Sequence, residues 1–161
     1  MSPRSLPHLV RRFFRSLAAR RPGPADQVFI ASVLDGGVAL LFAAQSPMDQ
    51  AHALRTARAV AVMVPRRTEL VRAALLHDVG KTHAGIGIAG RSCASLLAMA
   101  HLPVTRRMRS YLDHGVLGAA DLGRAGESGI VVAFAAAHHT AIAPPGADPH
   151  DWAALRRADD Q

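Results

Sequence analysis

Five of the nine histidines in this 161-residue chain fall where they can act together. His52, His77, His114 and the pair His138-His139 lie on four separate predicted helices, with Asp78 beside His77 and Asp159 near the end of the sequence. In order they read H…HD…H…HH…D, with steps of 25, 1, 36, 24, 1 and 20 residues. Imidazole nitrogen and carboxylate oxygen suit divalent Fe, Mn, Zn, Co or Ni, and a carboxylate has two oxygens with which to span two ions. Two ions about 3.5–4 Å apart activate a water and neutralise charge on a phosphate attacked in line. Singly, each histidine has an ordinary reading as a packing residue; seven positions together favour a metal centre. Lys81, three residues after Asp78 and the sole lysine, is a candidate catalytic and substrate-binding group that would donate to a phosphate oxygen. Arg106 and Arg109 precede His114 and are candidates to extend an anionic pocket, though a solvated helix face is the simpler reading. His8, His83, His101 and His150 stand outside the order and read as surface or packing residues.

The elements that must position these groups are helices. Ser46-Pro47-Met48-Asp49 is a capping pattern with proline in the first turn, so a helix is predicted from there to about residue 64, where Pro65 ends it. A second runs over about 67–77, with Leu70, Val71, Ala74 and Leu75 at core spacing and Gly80 as its stop. His77 and Asp78 then sit at a helix C-terminus. The glycine-rich stretch 81–90 is expected to be a loop, followed by a short apolar helix over 92–101 with Cys93 in the core and Pro103 beyond it. A further helix includes His114 and runs to about 124. Glu127 or Ser128 caps the next, strongly apolar helix, which continues through His139 to the break at Pro144-Pro145-Gly146. Asp148-Pro149 opens a last helix carrying Trp152, Leu155 and Asp159.

The ligand order and local strings resemble the HD-domain superfamily of metal-dependent phosphohydrolases over roughly residues 31–160. LLHDVGK, at residues 75–81, is similar to the family's HD signature in its HDxGK form. His138-His139 and the string HGVLGA from His114 resemble the subset containing HD-GYP and HDIG-type cyclic-dinucleotide phosphodiesterases. The resemblance implies that His52, His77, Asp78 and Asp159 hold one metal, and that Asp78 bridges to a second held by His114 and His138. His139 would complete the second site or bind a third ion. RRAD, ending at Asp159, resembles the family's closing string, which favours Asp159 over Asp160 as the last ligand. The implied activity is hydrolysis of a phosphoester, of a nucleotide or cyclic dinucleotide, by a hydroxide activated between two divalent transition metals. The Gly-Tyr-Pro motif is absent: after His139 the chain reads TAIAPPGADPHDW. HD-fold proteins of similar ligand order include di-iron oxygenases, and others are non-catalytic binding modules; both stand as alternatives.

Composition agrees with a helical domain. Half the residues are apolar but only 4% are aromatic, and Ala, Leu and Val dominate. That mixture suits closely packed helices better than a sheet. One cysteine excludes a disulfide framework and a CxxC zinc or redox pair, which fits a cytoplasmic protein. No repeat or linker argues for a second domain, so residues 31–161 are expected to form one all-α domain behind an extension over 1–30. In that extension Leu9, Val10, Phe13, Phe14 and Leu17 share a helical face and arginines lie largely elsewhere, the pattern of an amphipathic helix packed on the domain, with binding to nucleic acid or a membrane surface as the alternative. The net charge of +7 favours anionic partners, here a phosphorylated small molecule. No nucleic-acid motif or transmembrane run is evident, and homo-oligomerisation is compatible with the apolar stretch 130–137.

Overall fold

The computed structural model describes residues 21–161, and in them the chain is all helical. Residues 1–20, with most of the expected basic amphipathic segment, lie outside the described residues. The α-helices are α1 (Pro24–Ala31), α2 (Gly36–Ala43), α3 (Pro47–Met63), α4 (Thr68–Leu76), α5 (Ile88–Met99), α6 (Arg106–Leu112), α7 (His114–Arg124), α8 (Gly129–Ala137) and α9 (Pro149–Asp159). A 3-10 turn, Val79–His83, follows α4. None of the helices described is long and apolar enough to cross a membrane.

The organising element is α4. Leu70, Ala73, Ala74, Leu75 and Leu76 are all fully buried, and α4 packs against α3, α8 and α9. Each buried leucine contributes roughly 1.5–3 kcal/mol by leaving water. Because α4 is held in the middle, the residues that leave its C-terminus, His77 and Asp78, emerge at the centre of the molecule. α3 begins as its sequence requires: Ser46 accepts from the Asp49 amide, and Pro47 occupies the first turn. α9 is capped by Asp148, whose side chain accepts from the amides of His150 and Asp151.

Three expectations are corrected. Gly80 does not stop α4, which ends at Leu76; Gly80 lies inside the 3-10 turn and is there because two backbones meet. A Cβ on Gly80 would stand 2.0 Å from the His114 carbonyl oxygen and 2.5 Å from the Gly118 amide nitrogen. On the other face of α7, a Cβ on Gly115 would meet the Ala136 carbonyl at 2.8 Å. The glycines of α7 thus let one helix touch both the 3-10 turn and α8. Second, residues 81–90 are not one loop: the 3-10 turn runs to His83 and α5 starts at Ile88. Gly85, with φ of +56°, breaks the chain between them, whereas a helical glycine such as Gly90 costs only about 1 kcal/mol and does not stop α5. Third, Cys93 is exposed, because α5 lies at the edge of the molecule and buries only Ala94.

α5 is tied to the body by a pair the sequence reading did not find. Arg91 donates from Nη1 and Nη2 to the two oxygens of Asp49 at 2.7 and 2.8 Å, with both side chains largely buried. Its guanidinium also lies over the Tyr111 ring, 5.7 Å from the centroid. Removing one partner of a buried pair leaves an uncompensated charge, so Arg91→Met should lower unfolding stability by about 3 kcal/mol. Adding Asp49→Leu to it should recover part of that loss. A double-mutant cycle by denaturant unfolding checks this; additive single losses would show that the pair is not coupled.

Candidate metal centre

Six side chains from α3, the end of α4, the start of α7, the end of α8 and the end of α9 surround the Asp78 carboxylate or adjoin it. The two Asp78 oxygens face different partners. Oδ2 lies 3.3 Å from His77 Nε2 and 3.9 Å from His52 Nε2, and it pairs with the Lys81 ammonium. Oδ1 lies 3.4 Å from His114 Nε2 and 3.6 Å from His138 Nε2. Asp159 Oδ1 joins the first group, 2.8 Å from His52 Nε2 and 3.2 Å from His77 Nε2. His139 Nε2 joins the second, 3.3 Å from His114 Nε2. Three sets have ligand atoms close enough to hold one ion: His52, His77 and Asp78; His77, His138 and Asp159; and His114, His138 and His139.

The local structure aims the rings. His77, His114 and His138 each donate from Nδ1 to the carbonyl three residues back, on Ala74, Tyr111 and Ala135, at 2.9, 2.6 and 3.1 Å. Those carbonyls lie in the last turns of α4, α6 and α8, where helical carbonyls run short of intrahelical partners. One bond therefore closes a helix end and commits Nδ1 as the donor, leaving each Nε2 directed inward. The end of α8 is held in turn by α9: Arg156 donates to the His138 carbonyl, and Trp152 Nε1 donates to the Thr140 carbonyl. Tyr111 stacks on His114, with the rings 5.7 Å apart and 21° from parallel.

Whether a cation fits is tested by what is left unpaired. His77 Nε2 and Asp78 Oδ1 are buried without a hydrogen-bond partner among the described residues. Buried polar atoms in such a state cost about 1–3 kcal/mol each unless something else engages them. A nitrogen and an oxygen so placed among imidazoles and carboxylates are compatible with a divalent metal ion.

A family model for the HD domain matches residues 50–159, a span that contains every group just described. The chain belongs to the HD-domain family. No curated protein and no solved structure gives a significant match. HD membership points to metal-dependent, hydrolase-type chemistry on a phosphate-containing substrate, and the His/Asp cluster is compatible with a metal site.

Within this HD centre the structure brings together His52, His77, Asp78, Lys81, His114, His138, His139 and Asp159. Asp159 is the C-terminal carboxylate that enters, whereas Asp160 faces Arg156. Lys81 is buried against Asp78. Arg106 and Arg109 are exposed on α6 and pair with none of these groups. Of the remaining histidines described, His83 pairs with Asp121 at 2.6 Å, and His101 and His150 are exposed. Arg91, Tyr111 and Arg156 escaped the sequence reading because their partners are a carboxylate 42 positions away, a ring face and a backbone carbonyl. No spacing rule encodes such contacts.

The electrostatics of the metal-free centre follow from two buried carboxylates. Burial alone would depress His77, but the charges of Asp78 and Asp159 push it up to about 10. Burial would raise the two acids, yet Lys81 and His77 hold Asp78, and His77 and His52 hold Asp159, well below the usual carboxylate range. Burial, with His77 nearby, pulls His138 down to about 3; burial, with His114 nearby, pulls His139 down to about 4. Between pH 6.5 and about 10 the folded protein keeps a proton on His77 that the unfolded chain releases, so metal-free stability falls as pH rises through that window. Between about 3 and 6.5 the unfolded chain binds a proton at His138 that the folded protein refuses, so stability falls as pH drops. Thermal melts in chelator should peak near pH 6.5. A melting temperature climbing steadily through the alkaline window would contradict the His77 assignment.

Proposed function

We propose that the chain hydrolyses a phosphoester, of a nucleotide or cyclic dinucleotide, at a centre of two divalent transition-metal ions. The observation that carries this reading is the Asp78 carboxylate, whose two oxygens face separate sets of imidazoles. His52, His77, Asp78 and Asp159 would hold one ion, and Asp78, His114 and His138 the other. His139 would complete the second set or take a third ion. When bound, the ions would activate a water and neutralise charge on the phosphate.

The protein's own groups do the rest. The helix-end carbonyls engage Nδ1 of three imidazoles and so turn each Nε2 toward the centre. Burial of His77, Asp78 and His138 excludes bulk water from the inner side, which strengthens every charge interaction there. Partly exposed His52 and exposed His139 mark the side from which a substrate would enter. Lys81, whose ammonium pairs with Asp78, would donate to a phosphate oxygen if Asp78 were engaged by a cation instead. Arg106 and Arg109 would act only as an outer cationic rim.

The test is metal analysis of the purified protein together with turnover on phosphomonoesters, nucleotides and cyclic dinucleotides. Metal-dependent phosphate release, lost on chelation and restored by Mn or Fe, is the expected result. A mixed-valent iron signal with oxygen uptake and no phosphate release would replace the hydrolase reading with an oxygenase.

A further inference from the structure

We propose that the segment from Leu9 to Leu17 docks, as an amphipathic helix, into the apolar cleft between α1 and α2. α2 carries no polar side chain: its sequence is GGVALLFA. A helix that is apolar all round belongs in a core. Yet α2 buries only Val38 and Phe42, and its Leu40 is 73% exposed. α1 buries only Ile30. Between the two helices lies a cavity of about 290 Å³ whose buried walls are Ile30, Leu34 and Phe42, with Ala39 and Ala43 on the α2 side. A dry cavity of about 150 Å³ accepts a benzene, so this one has room for a phenylalanine ring. None of the residues lining it is a proposed metal ligand.

The occupant follows from where the chain enters. Arg21 and Pro22, the first of the described residues, also line the cavity, so the preceding segment leaves from its edge. Leu17 stands four positions before Arg21, a reach of about 14 Å at most. Leu9, Val10, Phe13, Phe14 and Leu17 recur at helical spacing and give one apolar face to match the cleft, while Arg11, Arg12 and Arg15 fall on the opposite side. A segment on so short a tether meets its site at an effective concentration on the order of millimolar. A second copy or a lipid surface has no such advantage.

The test is thermal unfolding of the full chain carrying Leu40→Gln, Phe14→Gln or both. Val62→Gln, at an α3 position 81% exposed, is the control. Leu40 is the neighbour of Ala39 and Ala43 on the surface of α2, and a leucine left in water there would lose almost nothing on becoming glutamine. Covered by the segment, it loses its burial. Each single variant should lower the melting midpoint by about 3 °C or more, and the double variant little further, because both remove the same contact. The control should melt with the parent. p-Benzoylphenylalanine in place of Phe14 should cross-link, on illumination, within the same chain to residues 27–43. Leu40→Gln melting with the parent, fully additive losses, cross-links to a second copy, or cross-links formed only to lipid when phosphatidylglycerol vesicles are added would each overturn the docking.

Discussion

Asp78→Asn should empty the centre and reduce metal-dependent phosphoester turnover by about a thousandfold or more, the scale on which losing one charge-stabilising group acts. Asparagine keeps the shape of the side chain but has one oxygen and no charge. It can neither span two ions nor balance Lys81, which is buried against Oδ2. The metal-free variant should also lose about 3 kcal/mol of stability, because the buried Lys81 ammonium is left without its counter-charge and protonated His77 keeps only Asp159. Elemental analysis, turnover on the substrate that proves active, and denaturant unfolding of the metal-free protein read the three effects separately. Turnover and both ions retained in Asp78→Asn would end the two-metal mechanism.

Gly80→Ala tests the architecture rather than the ligands. The added methyl would stand within 3 Å of the His114 oxygen and of both the nitrogen and Cα of Gly118, all backbone atoms that no side-chain rotation can move. Either the 3-10 turn or α7 must shift, at a cost of about 3 kcal/mol or more. Because Asp78 and Lys81 lie on one side of that contact and His114 on the other, the shift should separate Asp78 Oδ1 from His114 and weaken metal binding at that pair. Gly123→Ala is the control on the same helix: its Cβ meets nothing within 4 Å, so it should be neutral or stabilising by up to about 1 kcal/mol. Calorimetric melts and a Zn titration of the two variants decide the matter. A Gly80→Ala protein as stable as the parent would show that the backbone contact is not tight.

Much of the helical frame was legible because it depends on local chemistry. Ser46, Pro47 and Asp148 act on backbone groups one turn away, and the boundaries of α3 and α9 follow from them. Where packing decided, local reading failed. Cys93 looks like core in an apolar stretch, but α5 lies at the edge and turns it outward. Gly80 looks like a helix stop, but its lack of a side chain serves a contact with Gly118, 38 positions on.

For the centre itself, the sequence determined the inventory: five histidines, Asp78, Asp159 and Lys81, in an order that places them on separate helices. Residue types and spacing suffice for that, since ligand chemistry belongs to the side chain. Only the tertiary structure decided which oxygen of Asp78 faces which imidazoles, and that Lys81 occupies one of them. It also decided that Asp159 enters while Asp160 does not, and that helix-end carbonyls engage Nδ1 of three imidazoles. Those outcomes depend on the approach of α4, α7, α8 and α9, and therefore on glycines and packed leucines whose partners are distant in the chain.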